Sequence, residues 1–309
     1  MDTLAYYADQ SAVTDPGRMA HLFAGLPSDI PSLRAIASGM VVHYRADDNQ
    51  ALGIPDERMD EINTRYAERM LRRISELDDR PLTTERPRQS RLMGCCRDFT
   101  VLFLSLLRHH GIPARGRVGF ATYFVPGWNV DHEVAEVWDA TEWRWRLIDA
   151  ELDDTHVDPT NDATFAALDL PRDRFLAAGS AWKACRSGEA DPEKFLVDPS
   201  LEIPETRGWM QLRHNLVQDL AALNKAEMIL WDTWGLLENE TISEPEGALL
   251  DHVAETTRVD EPAFAAVRQR YNDHADLRVP DVVTSFSPTG NEPVQVQIAP
   301  DMTDITHAN

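Results

Sequence analysis

The stretch that decides the fold is MGCCRDFTVLFLSLLRHHGIPARGRVGF, at residues 93–120. Phenylalanine, leucine and valine side chains cover most of the circumference of a helix predicted from Arg97 to His110. Such a helix is typically buried on most of its sides. Gly111 supplies a C-terminal cap, and Pro113 prevents the helix from continuing. The stretch therefore predicts a central helix inside the molecule.

The spacing of apolar residues changes from helical to alternating after this helix. Three strands are predicted, ARGRVGFATYFV, HEVAEVW and WRWRLIDA, joined by the loops PGWNVD and DATE. A buried helix followed by three antiparallel strands is typical of an α+β core. We therefore expect an α+β fold, with a buried helix packed on an antiparallel sheet and extra helices before and after this core.

The rest of the chain is predicted to be mostly helical. PDERMDEINTRYAERMLRRISEL, at residues 55–77, is the clearest helix before the core, with acidic residues in its first turn. The longest candidate after the core covers residues 209–238, and shorter ones cover 173–186 and 261–274. We expect four regions: a helical N-terminal part, the core, a helical C-terminal part packed on it, and an extended or partly disordered tail, at residues 1–80, 81–160, 161–278 and 279–309.

Composition and charge exclude several classes of protein. A net charge of −22 and a pI near 4.7 repel phosphate backbones, so we expect no nucleic-acid partner. No apolar run is long enough for a membrane helix, and the first residues lack the pattern of a secretory signal. We therefore expect a cytoplasmic protein with no membrane partner; the residues do not indicate an oligomeric state. Three cysteines, an odd and sparse set, argue against a disulfide scaffold.

One segment runs against the overall negative charge. Between Leu71 and Arg97 the chain has seven arginines against four acidic residues. One interpretation is a solvated surface whose charges pair with one another. The other is a local positive field that attracts an anionic substrate group and favours a thiolate.

Three residues of the core could act together as nucleophile, base and orienting group. Cys95 and Cys96 lie at the predicted start of the buried helix, where unpaired backbone N–H groups favour the thiolate of a cysteine. His132 opens the second strand and Asp149 ends the third, so an antiparallel pair brings them close if the register permits. The carboxylate would then fix the tautomer of the imidazole. A zinc site at Cys95 and Cys96 is disfavoured, because adjacent cysteines have poor ligand spacing.

GCCRDFTVLFLSLLRHHGIPAR, DHEVAEVWD and WRLIDAEL together resemble the transglutaminase-like (papain-like Cys–His–Asp) superfamily. The shared pattern is a G-x-C that opens a buried helix, a G-I-P-A-R run, a strand that begins with histidine, and a W-x-x-(V/I/L)-D strand. It spans Gly94 to Asp153 in this chain. The resemblance implies that Cys96 is the nucleophile, His132 the base and Asp149 the orienting group, and that no cofactor or metal is needed.

Further site residues follow from the same resemblance. After the histidine the family commonly has a small residue and then an aromatic one, whereas this chain has Glu133 and Val134; the acidic neighbour is expected to raise the histidine pKa. The oxyanion hole in this fold usually combines the backbone N–H of the nucleophile with an upstream donor, for which Gln89 is a candidate. Trp128 and Arg97 are candidates for lining or binding the substrate. For Gln89 and Trp128 the alternative is an ordinary loop or packing role.

The resemblance implies a cysteine-dependent acyl-transfer enzyme. Its substrate is expected to be a peptide, an amide or an acyl thioester, and a thioester on Cys96 would be the intermediate. Water would resolve it in an amidase or peptidase, and an amine in a transglutaminase. Two alternatives stay open: a non-catalytic interaction module that keeps the fold, and a carrier-protein-dependent amide synthase, whose acidic partner would suit the arginine-rich segment.

Overall fold

A computed structural model describes residues 2–160, 165–258, 264–290 and 292–298. The helices of these ranges are α1 (Thr3–Ala8), α2 (Ile30–Met40), α3 (Ala67–Leu77), α4 (Cys96–His109), α5 (Ala178–Ser187), α6 (Gly208–Leu223), α7 (Glu244–Thr256) and α8 (Phe264–Asp273). The strands are β1 (Val41–His43), β2 (Leu92–Gly94), β3 (Ala114–Ala121), β4 (Asn129–Asp139), β5 (Arg144–Ile148), β6 (Phe175–Ala177), β7 (Phe195–Leu196), β8 (Asp232–Thr233), β9 (Val282–Ser285) and β10 (Val294–Gln297).

A five-stranded sheet forms the centre of the fold. Its strands run in the order β5-β4-β3-β6, with antiparallel neighbours throughout, and β7 pairs in parallel with the start of β4. The three strands predicted after the buried helix are confirmed as β3, β4 and β5. The fold is therefore of the expected α+β class.

The predicted central helix is confirmed as α4. Every residue of α4 except His109 is buried. Its apolar side chains share one cluster with Ala135, Val137 and Ile148 of the sheet. On β3, Phe120 belongs instead to a cluster built by α5, α6 and α7. The sheet therefore has helices packed against it from both the preceding and the following parts of the chain.

Buried ion pairs join the sheet to α6. Arg117 makes two hydrogen bonds to the carboxylate of Asp219, both of 2.9 Å. Glu136 accepts from Arg115 at 2.7 Å and from Arg117 at 3.0 Å. All four side chains are at most 2% exposed. Because charges without water need partners, each member of this network depends on the others.

Two predicted helices are shorter than expected. Residues 56–63 form a 3-10 helix that is separated from α3, so the predicted helix at 55–77 is broken. The reason is that Ile62 packs in a cluster with Met93, whereas the apolar face of α3 packs on α4. One straight helix cannot face both clusters.

The long helix predicted for 209–238 is also wrong in its second half. Helix α6 ends at Leu223, and Lys225 takes a left-handed backbone conformation with φ of 63°. This turn lets Glu227 reach Arg108, with which it forms a buried ion pair of 2.8 Å. The residues that follow continue into β8 and a 3-10 helix at 235–238.

Several strands cross the region boundaries expected from the sequence. β1, from the expected N-terminal part, pairs with β2 of the core. β6 and β7, from the expected C-terminal part, join the central sheet. Within the expected tail, β9 and β10 pair with each other and β9 also pairs with β8; residues 299–309 lie outside the described residues. No helix in the described ranges is both long enough and apolar enough to cross a membrane.

Candidate active site

The first turn of α4 is held by a capping box. Cys95 is the N-cap: its backbone N–H donates to Asp98 Oδ2 at 2.8 Å, and its side chain accepts from the backbone N–H of Asp98. Gly94 is needed for this arrangement. A Cβ atom at Gly94 would lie 2.7 Å from the carboxylate of Asp98 and 3.0 Å from Val41. The G-x-C pattern therefore has a steric cause at its first position, and it presents Cys96 as the first residue of the helix.

A gap along one edge of β4 receives the start of α4. On this edge β5 pairs with residues 135–139 and β7 with residues 129–130. In the part of the chain that the structure describes, residues 131–134 have no strand partner there. The Thr100 hydroxyl donates to the carbonyl oxygen of Glu133 in this gap, at 3.1 Å. Because Thr100 lies one helical turn after Cys96, and Glu133 follows His132, this bond fixes the start of α4 beside His132.

His132 and Asp149 are brought together as expected. His132 Nε2 lies 2.9 Å from Asp149 Oδ2. The β4–β5 register places Ala135 opposite Ile148, so Asp149 directly follows the paired part of β5. Its Oδ1 accepts from the backbone N–H groups of Glu151 at 2.8 Å and Leu152 at 2.9 Å. The carboxylate is thus fixed by the chain that follows it.

Tyr123 supplies a third partner for this carboxylate. Its hydroxyl donates to Asp149 Oδ2 at 2.9 Å, and its ring meets the His132 ring edge to face. Phe124 and Phe175 also contact the imidazole ring. Burial opposes ionisation of Asp149, but His132 and the donated hydrogen bonds outweigh it and lower the pKa of this carboxyl. Because the Asp149 carboxylate accepts from Nε2–H of His132, the proton of the neutral ring is on Nε2. The unprotonated Nδ1 is then the ring nitrogen that can face a thiol.

The same carboxyl groups act on Cys96 and on His132. Burial lowers the pKa of His132, but Asp149, Glu151 and Asp131 reverse this effect, and the pKa lies above its ordinary value. Asp131 and Glu151 also act on Cys96. The thiol and the imidazole therefore lie around one pair of carboxyl groups, at the mouth of α4.

The structure does not favour the thiolate expected at Cys96. The thiol is 6% exposed, and its hydrogen bond with Cys95, its burial and the nearby carboxyls of Asp131 and Glu151 raise its pKa well above the ordinary value. A thiol with a raised pKa keeps its proton at pH 7 unless a base removes it.

The expected effect of Glu133 on the histidine is also not found. Successive strand residues point to opposite faces, and the Glu133 carboxylate lies between β3 and α4, 3.3 Å from where a Cβ of Gly116 would be. The charges that raise the pKa of His132 are those of Asp149, Glu151 and Asp131.

The arginine-rich segment is a set of paired charges. Arg73, Arg80 and Arg88 form ion pairs with Glu61, Asp78 and Asp47. Arg86 is 2% exposed, and its guanidinium donates to four backbone carbonyl groups. The segment therefore matches the first interpretation, a surface whose charges pair with one another.

Arg97 does not line the site. It is fully buried, pairs with Asp98 at 3.0 Å, and donates to the carbonyl oxygens of Arg65 and Glu227 at 2.6 Å each. Its role is to hold the first turn of α4, so the substrate-binding prediction is wrong.

Among the described residues, the other two weak candidates have no hydrogen bond or ring contact with His132 or Asp149. The Gln89 side chain is exposed on a short 3-10 helix before β2, and its backbone carbonyl accepts from Arg58. Trp128 stacks on Lys194, whose Nζ lies 4.3 Å from the ring centre. Their predicted roles in the site gain no support from this placement.

The residues around Cys96 and His132 fall inside a known family pattern. Residues 36–150 match the family model of the transglutaminase-like superfamily. They form a transglutaminase-like domain. The match begins in α2 and ends after Asp149, so it contains β1, the capping box, α4 and the three strands of the core.

A solved structure is similar to part of the chain. It is described as that of a "Putative Cysteine Protease" from Cytophaga hutchinsonii. The identity is 16%, the similarity covers 59% of this chain and 50% of that protein, and the TM-score is 0.31. No curated protein matches the chain significantly.

Sequence reasoning missed three residues that lie near His132 and Asp149. Tyr123 lies in the turn after β3, and no local pattern distinguishes it from a packing residue. Glu151 follows Asp149 by two positions, which was a usable signal, since the turn at Asp149 brings it back to the site. His43 is placed at the site only by the pairing of β1 with β2. Among the described residues no group of His, Cys, Asp and Glu side chains could hold a metal ion.

Proposed function

We propose that this protein is a cysteine-dependent acyl-transfer enzyme in which Cys96, His132 and Asp149 form the catalytic triad. The main support is the hydrogen bond of 2.9 Å between His132 and Asp149 beside the start of α4. Cys96 opens that helix and shares Asp131 and Glu151 as neighbours with His132. A non-catalytic module has no need of this arrangement.

The reaction begins with a neutral thiol. His132 Nδ1 takes the proton from the Cys96 thiol as Sγ bonds to the carbonyl carbon of the substrate, and the carbonyl oxygen becomes an oxyanion. When the oxyanion collapses, the bond to the leaving amine or thiol breaks, and the imidazolium gives that group its proton. Asp149 stabilises the imidazolium between these steps. A thioester on Cys96 remains.

The second half of the reaction repeats these steps. Water or an amine loses a proton to His132 while its oxygen or nitrogen bonds to the thioester carbon. The C–S bond then breaks, and the Cys96 sulfur recovers the proton from His132. Water gives hydrolysis of the amide or thioester, and an amine gives a new amide.

Selective labelling of the cysteines tests this function. Iodoacetamide should alkylate Cys96 at a rate that rises as His132 loses its proton, and peptide mapping should place the adduct there. Cys95→Ser is the matched control, because it changes the adjacent thiol and keeps the nucleophile. We expect Cys95→Ser to keep the labelling and Cys96→Ser to abolish it.

The His132→Ala variant separates catalysis from simple exposure. Without the base, the raised pKa of Cys96 leaves only a trace of thiolate at pH 7, so labelling should slow strongly. Equal labelling of His132→Ala and the wild type, or faster labelling of Cys95 than of Cys96, contradicts the proposed triad.

The carrier-dependent amide synthase receives no support as a second function. Its motive was an arginine surface for an acidic partner. Arg86 is instead buried against backbone carbonyl groups, Arg88 is paired with Asp47, and Arg91 donates to the carbonyl oxygen of Arg86.

A further inference from the structure

The parallel pairing of β1 with β2 places His43 near the N-terminal end of α4. β1 runs beside β2, and His43 lies opposite Gly94, two residues before Cys96. Val41 belongs to the apolar cluster of α4 and lies 3.0 Å from where a Cβ of Gly94 would be. Because side chains two apart on a strand share a face, His43 points to the same side as Val41, where α4 begins.

Backbone hydrogen bonds fix the tautomer of His43. Its Nδ1 accepts from the backbone N–H of Arg45 at 3.1 Å and from that of Ala46 at 3.0 Å. A nitrogen that accepts carries no proton, so the proton of the neutral ring is on Nε2. In the described part of the chain no residue accepts from Nε2. The side chain is half-buried, which leaves this N–H open to a bound molecule.

His43 is also held in its neutral form. Burial, together with the charges of His132 and Arg45, lowers the pKa of His43 to about 3. His132 is therefore among the charged groups that act on His43. A neutral N–H can donate throughout the pH range in which His132 must gain and lose a proton, and it adds no charge that would compete for Asp149.

We infer that His43 Nε2–H and the backbone N–H of Cys96 together bind the oxyanion that forms when Cys96 attacks a carbonyl group. This inference rests on the proposed function. The first N–H of a helix has no partner within the helix, so that of Cys96 is free to donate. Two preorganised N–H donors at a developing oxyanion are the usual means of stabilising the tetrahedral state of acyl transfer.

The neighbouring alternatives do not fit this role. Tyr44 follows β1 and packs in the cluster with Val42 and Met93; burial and the nearby thiols of Cys95 and Cys96 raise the pKa of its hydroxyl, which is hydrogen-bonded with Arg45. Gln89, the donor expected from the sequence, has an exposed side chain. His43 alone among these combines the correct face, a fixed tautomer and an open N–H.

Two substitutions of His43 separate catalysis from support of the loop. Asparagine can place an acceptor where Nδ1 lies, so His43→Asn keeps the turn at residues 45–46 and loses the Nε2 donor. Glutamine can place an N–H where Nε2 lies, so His43→Gln keeps the donor and loses the acceptor. If His43 acts as a donor, His43→Asn should lose function and His43→Gln should not. If His43 supports the loop, His43→Gln should lose thermal stability.

Two probes of Cys96 distinguish oxyanion binding from thiol reactivity. p-Nitrophenyl acetate acylates a thiol through a tetrahedral oxyanion, whereas iodoacetamide alkylates it by displacement and forms no oxyanion. We expect His43→Asn to slow acylation by about 100-fold, as loss of one oxyanion-hole donor does, and to leave alkylation near the wild-type rate. His43→Gln should retain most of the acylation rate and have a lower Tm.

The inference is overturned if His43→Asn is acylated at the wild-type rate, or if it loses acylation and alkylation to the same extent. Failure of the proposed function gives a different result. In that case wild-type Cys96 itself is neither acylated nor alkylated faster than Cys95.

Discussion

Replacing Asp149 by asparagine is predicted to reverse the tautomer of His132. Asp149 Oδ1 accepts from the backbone N–H groups of Glu151 and Leu152 at 2.8 and 2.9 Å. Only the oxygen of an asparagine amide can accept these bonds, so its nitrogen must take the place of Oδ2. That nitrogen then donates to His132 Nε2, and the histidine must carry its proton on Nδ1.

A proton on Nδ1 prevents the histidine from accepting one from Cys96. Loss of the correct tautomer in such a triad costs about 10⁴ in kcat, or roughly 5.5 kcal/mol of transition-state stabilisation. The loss of charge adds to this effect. Without the carboxylate, burial dominates and the pKa of His132 falls below its present, raised value.

The rate of Cys96 acylation by p-nitrophenyl acetate, measured from pH 5 to 9, tests this reasoning. The matched control is Asp131→Asn. Asp131 also influences His132, but its carboxylate accepts from Asn215 at 2.7 Å and makes no hydrogen bond to the imidazole. We expect a loss of about 10⁴ in Asp149→Asn and a small change in the control. If Asp149→Asn retains a tenth of the wild-type rate, or if Asp131→Asn loses as much, the orienting role is refuted.

Two further predictions concern stability. Glu136→Gln breaks the buried ion pairs with Arg115 and Arg117 and should lower the free energy of unfolding by about 3–5 kcal/mol. Glu142→Gln breaks an exposed ion pair and should lower it by at most about 1 kcal/mol. Equal urea midpoints for the two variants would contradict this prediction. Burial raises the pKa of Glu151 from 4.5 to about 8, so the unfolded chain loses this proton at lower pH than the folded protein does, and stability falls as the pH rises from 4.5 to 8. Glu151→Gln removes this loss, and its Tm relative to wild type should be higher at pH 8 than at pH 5; a constant difference would show that Glu151 ionises normally.

The local spacing of apolar residues was sufficient to predict the helix and strands of the core. The apolar circumference of α4 requires burial, and alternation marks β3, β4 and β5, because both periods follow directly from backbone geometry. The order of Cys96, His132 and Asp149 along these elements then predicted the site. The structure places His132 and Asp149 in contact, at a register that the sequence left open.

Long-range packing decided what local pattern could not. The break before α3 and the end of α6 at Leu223 arise because neighbouring apolar residues pack in different clusters. The helical spacing of apolar residues does not show which cluster each of them joins. The hydrogen bond with Cys95, burial, and the carboxyls of Asp131 and Glu151 together raise the pKa of Cys96, and both carboxyls are distant from it in the sequence. His43 reaches the site only through the pairing of β1 with β2.

The central claim, that Cys96 carries an acyl group during catalysis, is tested most directly by trapping that group. The protein is incubated with p-nitrophenyl acetate, quenched in acid and analysed by intact mass and peptide mapping. We expect one acetyl group, on Cys96, released by hydroxylamine as a thioester is, and formed far more slowly in His132→Ala. Acetylation spread over Cys95, Cys185 and lysines, or equal acetylation of Cys96 with and without His132, would contradict the account.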